Sequence, residues 1–192
     1  MEKIIIKNEY IEYLSYDLPF TSVYPKGKLY FNQISEYIEN FIPPAIRTNK
    51  NELIFVNEKI KKELKSIFIK NNIEIVKRED LWSYILECFL DTEFTKRTEI
   101  YCYEKLKENG INKEKCDGIR KCINNMMISY NFDSCLWDWT YLGLFDLLSA
   151  ANGILSGAKY KMSKDKYKSF YQEAKKIALQ GKINVQKKEK EN

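Results

Sequence analysis

The spacing of apolar residues divides the chain into two regions that predict different secondary structure. From residue 80 onward, apolar side chains recur every three to four positions, which is the period of an amphipathic helix. Polar residues that cap helices, and single glycines, separate these stretches. We therefore predict five helices, over residues 80–91, 95–109, 112–130, 134–151 and 163–181.

One of the predicted helices, over residues 134–151, is apolar on nearly all sides. It contains Trp137 and Trp139, and its only acidic residues are Asp138 and Asp146. A helix without a broad polar face has to be surrounded by other helices. We therefore expect it to be enclosed at the centre of a helical bundle.

The first third of the chain mixes strand-like and helix-like patterns. Residues 3–7 predict a short strand. After Asn32, which is a suitable N-cap, apolar residues follow at i, i+3, i+4 and i+7 up to Phe41. This spacing predicts a helix, which Pro43 and Pro44 would end.

A strand–helix–strand unit follows these prolines. Residues 53–56 form a β-like run that we expect to pair with residues 45–48 through a tight turn. Asn57 would cap an amphipathic helix, and residues 73–76 return to strand character. This order is typical of a right-handed βαβ crossover between parallel strands.

Together these elements predict an α+β fold that is predominantly helical. Residues 1–78 would form a small mixed α/β lobe, residues 79–181 a helical bundle around the central apolar helix, and residues 182–192 a mobile charged tail. A chain of 192 residues, of which 44% are hydrophobic, is large enough to bury a core as one compact unit.

The chain contains no histidine, and this absence excludes many kinds of site. Histidine carries out most acid–base catalysis near neutral pH and is the commonest ligand of catalytic zinc. The seven glycines are isolated, so neither GxGxxG nor GxxxxGK[ST] occurs. We predict no catalytic residue, no metal and no cofactor, and we favour a protein that is not an enzyme.

The cysteines and the apolar runs predict a cytoplasmic protein. Five cysteines are an odd number without CxxC spacing, which favours reduced thiols over disulfides. No apolar run approaches the roughly 18 to 20 residues that a membrane helix needs. The first residues also contain too few consecutive apolar side chains for a signal peptide. We therefore expect no membrane partner.

Positive charge is concentrated at the C-terminal end of the sequence. Residues 156–192 hold eleven lysines and four acidic residues, whereas the rest of the chain has a net charge of −2. Cations alternate with aromatic rings over residues 159–168, as on surfaces that bind nucleic acids, although the arginines usual in base recognition are absent from this segment. The segment is also compatible with an acidic protein surface or with a face that is simply exposed to solvent. The candidate partner-binding residues are Lys159, Lys161, Lys164, Lys166, Lys168, Tyr84, Tyr101 and Tyr160.

Two pairs of carboxylates are further candidates. Asp91 and Glu93 could hold Mg²⁺, but a corner between two helices explains them more simply. Asp138 and Asp146 could be buried with raised pKa values, but one exposed seam of their helix would solvate both. We favour the structural explanation for each pair.

These observations favour a non-enzymatic, intracellular protein-binding protein of the inhibitor, immunity or adaptor type. Small immunity and inhibitor proteins of bacteria share this general profile, because they are globular and lack both motifs and cofactors. The first alternative is a nucleic-acid-associated module that uses the basic C-terminal segment. The second is a metal-assisted enzyme that uses carboxylates.

Overall fold

This computed structural model describes residues 3–90, 94–133 and 141–183. Within these ranges the chain forms seven β-strands in two sheets and six α-helices. This composition confirms an α+β fold that is predominantly helical. None of the helices in these ranges combines the length and the apolar character that a bilayer-spanning helix requires.

The chain divides into two compact units. The first comprises the described residues of Met1–Glu79 and of Lys182–Asn192, and the second comprises those of Asp80–Gly181. In chain order, the second unit is therefore inserted between two segments of the first.

The two segments of the first unit meet through backbone pairing. Ile183 forms an antiparallel bridge with Arg78. Beside this bridge, the Glu79 amide donates a hydrogen bond to the Lys182 carbonyl at 3.0 Å. The rest of the predicted tail, from residue 184 onward, lies outside the described residues.

The first unit begins with a three-stranded antiparallel sheet. Its strands, in their order across the sheet, are β1 (Ile4–Ile6), β2 (Tyr10–Tyr13) and β3 (Gly27–Tyr30). Buried Ile11 and Tyr13 alternate along β2 with less buried residues, and Ile11 pairs with buried Leu29 of β3. This period of two directs one face of the sheet into the core.

A four-stranded sheet completes the strands of this unit. Its strands are β4 (Ile34–Ile38), β5 (Ala45–Thr48), β6 (Leu53–Phe55) and β7 (Glu74–Val76). The order across the sheet is β6-β5-β4-β7, and only β4 and β7 pair in parallel. The antiparallel pair of β5 and β6 confirms the predicted hairpin.

The prediction of a helix after Asn32 is wrong. One 3₁₀ turn over Phe31–Gln33 leads directly into strand β4, which lies between β5 and β7. Four of its five residues are buried. In so enclosed a strand apolar residues do not alternate, and their spacing resembles that of a short helix.

Helix α1 (Lys61–Lys70) connects β6 to β7, as the strand–helix–strand pattern predicts. The Asn57 side chain accepts the Lys59 amide at 2.9 Å before this helix, and Leu64 and Phe68 are fully buried. The two strands are parallel but are not neighbours, because β7 pairs with β4. The crossover therefore spans the sheet from one edge to the other, instead of joining adjacent strands.

A buried ion pair connects β4 to the segment after β7. Arg78 donates from Nε and Nη2 to the two carboxylate oxygens of Glu36 at 3.0 and 3.2 Å. Arg47 Nη1 lies 3.5 Å from the same carboxylate. Glu36 and Arg78 are only 5% and 7% exposed, so the Arg78 charge is compensated by Glu36, and the Glu36 charge by Arg78 and Arg47.

The second unit is a helical bundle. Its helices are α2 (Leu81–Leu86), α3 (Lys96–Glu108), α4 (Lys113–Ile128), α5 (Leu144–Ala151) and α6 (Lys164–Gln180). The side chains of Asp80, Thr95 and Asn112 accept backbone amides at the starts of α2, α3 and α4. Gly110 follows α3 with a φ of 78°, a left-handed conformation that ends helices. These helix ends agree with the sequence pattern.

Helix α5 is shorter than the predicted helix over residues 134–151. Residues 141–143 are not helical, and the Asp146 carboxylate accepts the Gly143 amide at 2.8 Å, which caps a helix that begins at Leu144. All residues of α5 except Phe145 are buried, and α5 packs against α4 and α6. The described part of the predicted helix is therefore enclosed as expected. Trp137, Asp138 and Trp139 lie outside the described residues.

Candidate functional site

A groove of about 990 Å³ runs between α4 and α6. We call it the α4–α6 groove and define it by the residues that line it. These are Cys122, Ile123, Asn125 and Met126 of α4, residues 159–163, and Asp165, Lys166, Ser169, Phe170 and Glu173 of α6.

A second hollow, of about 340 Å³, lies along the same two helices. It shares four lining residues with the α4–α6 groove. It extends the apolar surface to Gly118 and Ile119 of α4 and to Ala174 and Ile177 of α6. Lys115 lies at this end. The two hollows therefore form one depression along several turns of both helices, and both belong to the α4–α6 groove.

The floor of this depression is apolar because each helix turns one hydrophobic stripe toward it. On α4 the stripe contains Ile119, Ile123 and Met126, and on α6 it contains Phe170 and Ala174. Such intervals of three and four residues place side chains on one helix face. Ile119 and Phe170 remain half-buried, so this surface is not completely covered by the described residues.

Lysines surround the apolar floor. Lys115, Lys159, Lys161 and Lys166 are all exposed, and none of them forms an ion pair with another described residue. The Lys159 ammonium lies 4.8 Å from the centre of the neighbouring Tyr160 ring. The charges of these four lysines are therefore available to an incoming acidic group.

The structure brings four of the eight predicted partner-binding residues together in the α4–α6 groove. They are Lys159, Tyr160, Lys161 and Lys166. Lys164 and Lys168 are exposed on α6 but do not line this groove. Tyr84 and Tyr101 pack edge to face with ring centres 5.9 Å apart, also outside the groove.

The expectation that Asp146 is solvated is wrong. Asp146 is 6% exposed, and its carboxylate accepts the Tyr130 hydroxyl at 3.0 Å as well as the Gly143 amide. Burial raises its pKa to about 7, although both hydrogen bonds oppose this shift. The charge of Asp80 adds a smaller upward effect.

Asp80 is a second carboxylate in this region of the unit. It caps α2 through the Trp82 and Ser83 amides and accepts a hydrogen bond from the Tyr141 hydroxyl. Burial of the Asp80 carboxylate raises its pKa, although these hydrogen bonds oppose the shift. Both Asp80 and Asp146 are therefore engaged in capping helices.

The remaining carboxylates and the buried thiols show no arrangement suited to metal binding or thiolate chemistry in the part of the chain that is described. Asp91 and Glu93 lie outside the described residues, and within the described ranges no group of three or more Asp, Glu or Cys side chains could hold a metal. Burial raises the pKa values of the Cys102 and Cys116 thiols to about 11, which disfavours the nucleophilic thiolate. Cys122, in contrast, is exposed in the groove.

No family model, curated protein or solved structure matches this chain.

Sequence reasoning found Lys159, Lys161 and Lys166 of the groove but missed Lys115 and the apolar floor. Ile119 fits the predicted inward stripe of its helix, and so does Phe170. The pattern cannot indicate that both side chains stay half-exposed, because this depends on how closely α4 and α6 approach. Gly118 in the middle of α4 was the one local signal, since glycine is unfavourable inside a helix and has no side chain to cover the surface there.

Proposed function

We propose that the chain is a cytoplasmic, non-enzymatic protein-binding protein of the inhibitor, immunity or adaptor type, which binds its partner in the α4–α6 groove. One observation carries this proposal: the half-buried Ile119 and Phe170 lie in an apolar depression surrounded by four lysines that form no ion pair with another described residue. Apolar surface with a charged rim is the usual composition of a protein–protein interface.

The composition of the groove favours a protein over a nucleic acid. Asp165 and Glu173 line it together with the lysines, and their carboxylates would repel phosphates. Among the described residues, no arginine lines either hollow. A protein partner can instead place apolar side chains on Ile119 and Phe170, acidic ones beside the lysines and neutral or basic ones beside Asp165 and Glu173.

The test compares a groove variant with a matched control on another helix. Ile119→Glu places a charge in the apolar floor, and Ile100→Glu makes the same change on α3, where Ile100 is 49% exposed and lines neither hollow. Tagged wild type and Ile100→Glu should retain the same protein from a native lysate in near-stoichiometric amount, as measured by quantitative mass spectrometry. Ile119→Glu should lose it while its melting temperature stays close to that of Ile100→Glu.

Two outcomes would contradict the proposal. One is a partner that all three proteins retain equally, which would place binding elsewhere. The other is the absence of any partner in lysates prepared at low and physiological salt. Retention of nucleic acid through the lysines, detected as a raised ratio of absorbance at 260 and 280 nm, would support the nucleic-acid alternative.

A further inference from the structure

We propose that the segment bound in the α4–α6 groove is an amphipathic α-helix of about three turns, with acidic residues beside its apolar stripe. This inference rests on the proposed function and adds the secondary structure, length and charge of the partner. Three features of the described residues support it, namely the backbone of the groove walls, a glycine in α4 and the positions of the lysines.

The walls of the groove offer little backbone for an extended partner to pair with. Two walls are helices, whose amides and carbonyls bond within each helix. In the segment that leads into α6, the amides of Tyr160 and Lys161 donate to the carbonyls of Gly157 and Ala158, each at 3.2 Å. The Met162 amide donates at 2.9 Å to the carbonyl of Ala151. An extended peptide would bury unpaired backbone groups here, whereas a helix satisfies its own.

Gly118 leaves room for the backbone of a partner helix. Glycine is among the least favourable residues inside a helix. A methyl group built on Gly118 would have no atom within 4 Å, so nothing in the described structure requires the glycine. Ala174, another small residue, lines the same hollow from α6. Small residues at such a position allow two helices to approach closely.

The lysines determine the length and charge of the expected partner. Lys115 lies at one end of the depression, and Lys159, Lys161 and Lys166 lie toward the Met126 end. From Lys115 to Met126, helix α4 rises by roughly 16 Å, which matches about three turns of a partner helix. Glutamates or aspartates at both ends of that helix would meet exposed ammonium groups, and neutral or basic residues would face Asp165 and Glu173.

The experiment selects peptides from a displayed library of random 16-residue sequences and scores their binding at Cys122. The assay uses a Cys135→Ser variant of the full chain. In this variant Cys122 is the thiol to follow, because it is exposed in the groove whereas Cys102 and Cys116 are buried. Selected peptides should slow the alkylation of Cys122 at least tenfold. Their sequences should show apolar residues at i, i+3, i+4 and i+7 and a net negative charge, and they should gain helical circular dichroism on binding.

Variants of the chain test the same geometry. Lys161→Glu with Lys166→Glu should weaken the selected peptides more than tenfold. The control pair, Lys62→Glu with Lys107→Glu, changes the charge equally at exposed positions outside both hollows and should change affinity less than twofold. Gly118→Leu should weaken binding about tenfold without lowering the melting temperature.

The outcomes separate this inference from the proposed function. Peptides that protect Cys122 but bind without helix formation, tolerate a central proline or carry net positive charge would overturn the helical acidic partner and leave a docking groove. If no selected peptide protects Cys122, both proposals fail. A concentration-dependent dimer that protects Cys122 without peptide would identify a second copy as the occupant and would also overturn the inference.

Discussion

At the scale of single residues, Asp146 shows how burial changes the chemistry of a carboxylate. Its pKa is raised to about 7, mainly because burial disfavours the charged form. In the unfolded chain an aspartate has a pKa of about 3.9. Between these values the folded chain keeps a proton that the unfolded chain releases, so the free energy of unfolding falls as the pH rises.

We therefore expect Asp146→Asn to remove a pH dependence of stability. Between about pH 4 and 7, this group lowers the wild-type free energy of unfolding by about 1.4 kcal/mol per pH unit. Urea denaturation at pH 5, 6 and 7 measures the slope in wild type, in Asp146→Asn and in the control Asp165→Asn, whose side chain is exposed. The prediction is wrong if the Asp146→Asn slope equals that of the control.

Gly118 gives a second prediction at this scale. Replacing it with alanine should raise the free energy of unfolding by about 0.5–1 kcal/mol, because the added methyl meets no atom and alanine favours the helix. Gly110→Ala is the contrasting variant, since its φ of 78° is unfavourable for alanine and the methyl would lie 2.9 Å from the Gln180 side chain. Thermal unfolding should therefore shift in opposite directions, and shifts of the same sign would contradict this account.

At the scale of secondary-structure elements, local signals predicted helix ends better than they predicted strands. Thr95 and Asn112 cap helices through their own neighbouring amides, so the necessary information lies within four residues. Strand β4 is stabilised by β5 and by β7, which follows only after α1. No short window of sequence contains that pairing, and the apolar spacing around Tyr37 therefore predicted a helix.

The ion pair between β4 and the segment after β7 predicts a large effect of single substitutions. Arg78→Met leaves the Glu36 carboxylate buried beside only the more distant Arg47, and we expect a loss of about 3–5 kcal/mol. The double variant Glu36→Gln, Arg78→Met should recover part of this loss. Urea denaturation followed by far-ultraviolet circular dichroism measures both values, and a double variant less stable than Arg78→Met would count against the explanation.

At the scale of the whole molecule, the structure predicts one readily modified thiol among the cysteines it describes. Cys122 is exposed, Cys88 is half-buried, and burial keeps Cys102 and Cys116 as protonated thiols. In the Cys135→Ser variant, one thiol should react rapidly with Ellman's reagent at pH 8, and peptide mapping should identify it as Cys122. Denaturation should make the remaining thiols reactive. Rapid modification of Cys102 or Cys116 in the folded protein would contradict the packing.

Tertiary packing also limited how far the candidate site could be predicted. The alternation of lysine and tyrosine over residues 159–168 is a local feature, and it identified one side of the α4–α6 groove. Ile119 and Phe170 come from helices that are separated by more than thirty residues, and their shared surface arises only when α4 and α6 pack together. Asp146 was misjudged for the same reason, since Tyr130 reaches it from before α5.

The hydrogen bond from the Glu79 amide to the Lys182 carbonyl has a consequence for genetic rearrangement of this chain. It brings the points where the polypeptide leaves and re-enters the first unit into direct contact, so that residues 80–181 are one continuous insertion in its sequence. A protein with its junctions so close tolerates the gain, exchange or deletion of an inserted module, because a short turn can reconnect the two flanking segments. The bundle and its groove could thus be transplanted onto another host by grafting at these two positions.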